Sequence, residues 1–95
     1  MTNVVPLQSI IMVKARFEIG NQEKHVIEVD WSNVTGVLKV TADANDISSG
    51  FALGSKEVKF PIGDKEKHTV DVIAKTGWLS DKIKIFVDGK LEGSA

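Results

Sequence analysis

The chain has 95 residues, one domain's worth at roughly 100 to 200 residues per domain, and a domain this small buries only about 60 to 65% of its unfolded surface. Its 12 Val and 9 Ile outnumber 5 Leu, 6 Ala and 2 Met, which favours sheet over helix. With no Cys, no Tyr, a single Arg (Arg16) and two His (His25, His68), disulfides, thiol catalysis and cysteine-type zinc sites are excluded; a formal charge of −1 leaves no electrostatic footprint for nucleic acid or an anionic membrane.

Residues 1–12 read as an N-terminal extension or an edge strand, with Pro6 interrupting any ladder, and residues 13–95 as a single domain. The early apolar stretch is broken by Pro6, Gln8 and Ser9 and follows no basic residue, unlike a secretory signal, and no run reaches the roughly 18 to 20 apolar residues of a membrane span. The expectation is a soluble, cytoplasmic protein.

From Lys14 onward the pattern has period two. Ala15, Phe17 and Ile19 alternate with Lys14, Arg16 and Glu18; His25, Ile27, Val29 and Trp31 alternate with Lys24, Val26, Glu28 and Asp30; Leu38, Val40 and Ala42 alternate with Lys39, Thr41 and Asp43. One face is apolar throughout, the mark of half-buried antiparallel strands. After Asp43 an Ala forced into the left-handed region would cost roughly 1 to 2 kcal/mol, so a wider loop is expected, with Asn45 taking that conformation and a connecting strand following from Ile47 to Leu53. Val58, Phe60 and Ile62, then His68, Val70, Val72 and Ala74, then Ile83, Ile85 and Val87 repeat the alternation, and Asp88-Gly89 signals a type I′ turn. A last strand beginning at Lys90 is expected to stop after Glu92, at Gly93-Ser94-Ala95, leaving an open edge or a chain that is a fragment of something longer. No window of ten or more residues shows a 3.6 period.

The second half repeats the first. Residues Phe17 to Val29 recur 43 positions later as Phe60 to Val72, with seven of thirteen positions identical, and after a two-residue shift Gly36 to Asp43 lines up with Asp81 to Asp88. The expected fold is an all-β, antiparallel β-sandwich of seven to eight strands, built from two similar hairpin-containing units with repeats spanning 17–47 and 60–92.

The strand His25-Val26-Ile27-Glu28-Val29, the turn Val87-Asp88-Gly89-Lys90 and the segment from Phe51-Ala52-Leu53-Gly54 to Phe60-Pro61-Ile62-Gly63 resemble a Fas apoptotic inhibitory molecule (FAIM) domain. The resemblance spans nearly the whole chain but consists of general strand and turn patterns. It implies an eight-stranded antiparallel β-sandwich acting through protein contacts, with no catalytic residues to carry over. The doubled Glu-Lys-His element looks closer to uncharacterised prokaryotic β-domains.

Candidate sites are few. His25 and His68 occupy equivalent places and, if brought together, would be two imidazole ligands, too few for a metal centre; the competing reading has each ring at the core rim, hydrogen-bonded to the neighbouring hairpin turn. Glu23 and Glu66, two residues earlier, are placed to orient the rings, but no nucleophile accompanies them. Trp31 and Trp78 follow the His-bearing strands and suit stacking on a sugar or anchoring a partner, unless they close the ends of the sandwich. Asp43, Asn45 and Asp46 match no calcium-loop spacing, and Asn33-Val34-Thr35 is a glycosylation acceptor only in a secreted protein. The sequence therefore reads as a non-enzymatic module without metal or cofactor, recognising an unidentified protein or a second copy of itself at an interaction edge beside Lys90 and Leu91. The alternative is a carbohydrate-binding module using Trp31 and Trp78.

Overall fold

A computed structural model of the chain describes residues 12–32, 36–51, 55–75 and 82–95. It contains eight antiparallel strands and, among the described residues, no helix: β1 (Met12–Ile19), β2 (His25–Ser32), β3 (Val37–Ala42), β4 (Asn45–Phe51), β5 (Ser55–Ile62), β6 (His68–Lys75), β7 (Ile83–Val87) and β8 (Lys90–Ser94). They form two four-stranded meanders, β1-β2-β3-β4 and β5-β6-β7-β8, so each sequence repeat is one sheet of a two-unit β-sandwich.

The core follows from the alternation. Ile27, Val29, Trp31, Leu38, Val40 and Ala42 of the first sheet and Val58, Phe60, Val70, Val72, Ala74, Ile83, Ile85 and Val87 of the second are all buried, with Val13, Ala15, Phe17 and Ile62 packed against them. The branched side chains of Val and Ile are stiff at χ1 and lose little freedom on packing against a pleated face. The two units share irregularities too: the register shifts between Val40 and Thr41 in the first and between Ile85 and Phe86 in the second, 45 residues apart, leaving Ile47 and Glu92 as the extra residues of equivalent bulges.

Two expectations are corrected. The turn after β3 is not a wide loop: Asp43 and Ala44 take φ 50° and 67°, matching Asp88 and Gly89 at 54° and 83°, so Asn45 already belongs to β4; the connecting strand expected from Ile47 to Leu53 is described as far as Phe51, and Ala52 and Leu53 lie outside the described residues. Ala44 bears the left-handed backbone because the tight turn is held from outside. Asp43 N–H donates to the Val26 carbonyl (2.8 Å), and Val26 N–H donates to Asp43 Oδ1 (2.9 Å). The carboxylate stands where a ladder carbonyl would accept, and a wider loop would break this pair.

Nor does Gly93 end the last strand. It pairs with Ile85 inside β8, directly under the Phe17 ring of β1; a Cβ there would come within 2.7 Å of that ring, so the glycine admits the aromatic side chain across the two sheets. Beyond it, Ala95 N–H donates to the Ile83 carbonyl, and Lys82 and Ile83 N–H donate back to Ala95.

Candidate functional site

The polar residues that the two repeats share gather at one end of the sandwich, where the β1–β2 and β5–β6 turns meet. Gly20 and Gly63 open these turns at φ 96° and 106°, a conformation favouring glycine, and a Cβ at either would collide with the carbonyl of Glu23 or Glu66. Each turn thereby aims three successive backbone N–H groups outward, the arrangement that makes an anion-binding concavity. What fills each concavity is the glutamate of the other repeat. Asn21 N–H donates to Glu66 Oε2 (2.8 Å), and Gln22 and Glu23 N–H to Glu66 Oε1 (2.7 and 3.0 Å); Asp64 N–H donates to Glu23 Oε2 (2.8 Å), and Lys65 and Glu66 N–H to Glu23 Oε1 (2.8 and 3.1 Å). Six backbone donors thus stitch the two repeats together reciprocally, as an isologous dimer contact does between identical subunits. The backbone donors, led by Asp64 for Glu23 and by Glu23 for Glu66, hold both carboxyls down from 4.5 to about 2.

The histidines brace this junction from behind. His25 Nε2 lies 2.9 Å from Glu23 Oε2 and its Nδ1 2.6 Å from Asp43 Oδ2; His68 repeats the pattern with Glu66 Oε2 and Asp88 Oδ2, both at 2.6 Å. Each imidazole therefore hydrogen-bonds the neighbouring hairpin turn, and each glutamate orients its ring. Both ring nitrogens face carboxylates, an arrangement that favours the protonated ring, which can donate to both. Accordingly the Asp43 hydrogen bond raises His25 above its ordinary 6.5, the Asp88 hydrogen bond does the same for His68, and the two aspartates are lowered in return.

This arrangement uses its chemistry internally. With both nitrogens of each ring hydrogen-bonded to carboxylates, neither nitrogen is turned toward a ligand, and both anion cradles are filled by the protein's own carboxylates. Although the fold draws His25 and His68 into one network, it joins them through Glu23 and Glu66. Among the described residues no group of three or more His, Asp or Glu is placed to hold a metal ion. Asp43 is committed to His25 and Val26, while Asp46 lies 3.6 Å from the Lys39 ammonium.

Trp31 is a core residue only 6% exposed, because the inward alternation of Ile27 and Val29 simply continues and sets it opposite Leu38. That corrects its assignment as a sugar-stacking ring; Trp78, its proposed companion, lies outside the described residues, as do Asn33 to Thr35. Lys90 and Leu91 both sit on β8, which has β7 on one side and, among the described residues, no strand on the other. Leu91 is 51% exposed.

Leu91 borders a feature that strand alternation alone did not single out. Cross-strand register puts Lys59, Asp71, Phe86 and Leu91 in one row on the outer face of the second sheet, with Glu57, Ile73 and Lys84 in the next. The same positions of the first sheet carry Arg16, Glu28, Thr41 and Asp46, then Lys14, Asp30 and Lys39. Where one repeat has Asp30, Thr41 and Asp46, the other has Ile73, Phe86 and Leu91. Amid these apolar side chains Asp71 Oδ1 is buried without a hydrogen-bond partner among the described residues, and burial, followed by a hydrogen bond that protonated Asp71 donates to Glu57 and by the Glu57 charge, raises Asp71 from 3.8 to about 6. Aligning the repeats at their outward positions would have exposed this asymmetry from sequence. No helix among the described residues is long and apolar enough to cross a membrane. No family model, no curated protein and no solved structure matches the chain.

Proposed function

We propose that this chain is a non-catalytic recognition module that binds an extended segment of a protein partner as an added strand on β8, with partner side chains resting on the outer face of the second sheet. The observation that carries this reading is the difference between the repeats. Identical architecture with a polar outer face on one sheet means that Ile73, Phe86 and Leu91 are not demanded by folding, and apolar side chains that folding does not demand point to contact with another molecule. The side of β8 away from β7 supplies backbone donors and acceptors for affinity, and Lys90 and Glu92 on that edge select among strands by charge. The Asp71 carboxylate, short of one hydrogen bond, favours a partner that brings a donor, so a lysine- or arginine-bearing segment fits better than an acidic one. The resemblance to FAIM domains agrees with action through protein contacts, and both histidines are engaged in the junction.

The test is selection of random peptides displayed on phage against the full chain, followed by amide shift mapping of the enriched peptides. Peptides that shift the β8 amides and lose binding to Leu91→Asp support the reading. Failure to enrich any peptide, or peptides that map away from β8 and bind Leu91→Asp unchanged, overturns it.

A further inference from the structure

We infer that β4, at the far edge of the first sheet, is a self-association site at which two copies of this chain pair antiparallel about a two-fold axis through Ser49. The four edge strands of the sandwich differ in how they resist pairing. Charged side chains on edges keep sheets from adding to one another, as does proline. β1 carries Lys14, Arg16 and Glu18; β5 carries Lys56, Glu57, Lys59 and Pro61; β8 carries Lys90 and Glu92, which limit it to a strand of matching charge such as the partner segment proposed above. β4 reads Asn-Asp-Ile-Ser-Ser-Gly-Phe, and from Ile47 to Phe51 it has neither a charge nor a proline. At the bulge, where β8 places Glu92, β4 places Ile47.

This unguarded stretch also shows its apolar side chains to solvent. Phe51 is 71% and Ile47 40% exposed, two of the three large hydrophobic residues exposed among those described, the third being Leu91 on the other sheet. Phe51 pairs with Val37 and Ser49 with Lys39, positions on the outer face of the sheet; Ile47, the extra residue of the bulge, lies two places before Ser49 and faces the same way. Ile47, Ser49 and Phe51 therefore form one outward row.

That row is complementary to itself. In an antiparallel pair centred on Ser49, residue numbers on opposite strands sum to a constant: Ile47 meets Phe51 of the second copy, Ser48 meets Gly50, Ser49 meets Ser49, and the set repeats on the other side of the axis. Each exposed apolar residue covers the other, twice. A branched aliphatic opposite an aromatic ring is among the favourable cross-strand pairs, and small residues at the centre let the backbones approach. No like charges face each other within this stretch. The product is a continuous eight-stranded sheet of two first units, with both second units and their β8 edges left outside, so the site is separate from the partner edge proposed above. A five-residue strand pair buries less than a standard interface, which makes the dimer weak and concentration-dependent.

The experiment uses the full chain. Sedimentation velocity across a concentration series is expected to show a monomer–dimer equilibrium. Ile47→Lys removes both Ile–Phe pairs at once and should weaken the dimer by up to roughly thirtyfold. Ser49→Lys, at an exposed position, sets two ammonium groups against each other on the axis and should weaken it by about fivefold, with thermal unfolding unchanged. Because the chain has no cysteine, Ser49→Cys is expected to form a disulfide-linked dimer under mild oxidation, whereas Ser48→Cys, opposite Gly50, is not. A chain that stays monomeric throughout the series overturns the proposal. So does a dimer that withstands Ile47→Lys and Ser49→Lys but is dissociated by Leu91→Asp, which would put the axis at β8.

Discussion

Ala44 and Gly89 hold the same turn position in the two repeats, and exchanging their residue types gives a measurement with a built-in control. Ala44 sits at φ 67° and Gly89 at φ 83°, each preceded by an aspartate with positive φ. An alanine in the left-handed region costs roughly 1 to 2 kcal/mol, and replacing it with glycine returns that amount less about 0.4 to 1 kcal/mol for the larger conformational freedom of glycine in the unfolded chain. The net stabilisation from Ala44→Gly is therefore about 1 kcal/mol, or about 4 to 8 °C in Tm for a domain of this size. Gly89→Ala should lose about the same, because an added Cβ there meets nothing within 4 Å and only the backbone penalty operates. Urea unfolding with an unchanged slope is the assay. Should Ala44→Gly leave the midpoint unmoved or lower it, while Gly89→Ala is tolerated, the claim that Asp43 forces a strained residue into this turn would be wrong.

Gly20→Ala and Gly63→Ala, which pair the same kind of backbone with a collision against the Glu23 or Glu66 carbonyl, should each cost roughly 3 kcal/mol or more, seen in the same unfolding assay as a far larger midpoint shift than for Gly89→Ala. Stability should peak near pH 5, where the glutamate contribution is nearly complete and the loss at Asp71 has begun to outweigh what remains of it. The lowered Glu23 and Glu66 contribute fully above 4.5 and lose their contribution as pH falls toward about 2; the raised His25 and His68 contribute fully below 6.5 and lose theirs as pH climbs through their higher folded values. Asp71 acts in the opposite sense to the glutamates, since a carboxyl raised from 3.8 to about 6 withdraws stability as pH rises through that window; Asp71→Asn should flatten the decline there, and an unfolding series in pH that keeps the slope in the variant would refute its origin. Asp43→Asn keeps a residue that tolerates the left-handed backbone but removes the first cause of the His25 shift, so the His25 ring protons should titrate closer to 6.5 while those of His68 do not move.

What the sequence revealed and what it concealed divide along the symmetry of the molecule. Period-two alternation located nearly every inward residue, because burial on a sheet depends only on which side of the pleat a residue occupies. The turn at Ala44 escaped, since residue preference is local while the turn is held by Asp43 reaching back to Val26 and His25 across the hairpin. The junction of Glu23 and Glu66 was visible as a repeated pair of letters. Its meaning was not, because the partners are backbone N–H groups 41 to 45 residues away, and backbone donors have no letter in a sequence.

The symmetry itself supplies the missing rule. Where two repeats meet about a two-fold, each shared residue meets the other copy's equivalent surroundings, so changing it in one copy breaks the match in both. Of the seven identical positions, Phe17, Ile19, Gly20, Glu23, His25 and Val29 with their counterparts lie in the core or at the junction, and only the exposed Lys24 and Lys67 do not. Facing solvent, the repeats are free to diverge, and there Asp30, Thr41 and Asp46 stand against Ile73, Phe86 and Leu91, and Ile47 against Glu92. Identity between the halves records what the sandwich needs in order to fold. The halves differ inside as well, where Trp31 stands against Ala74 and Leu38 against Ile83, but there one apolar side chain replaces another and the core is kept; only on the outer faces and edges do the differences exchange polar for apolar, and those are where binding is to be sought. They assign the two sheets different tasks: the first presents a bare edge that fits its own copy, the second an apolar face beside a charged edge that fits something else.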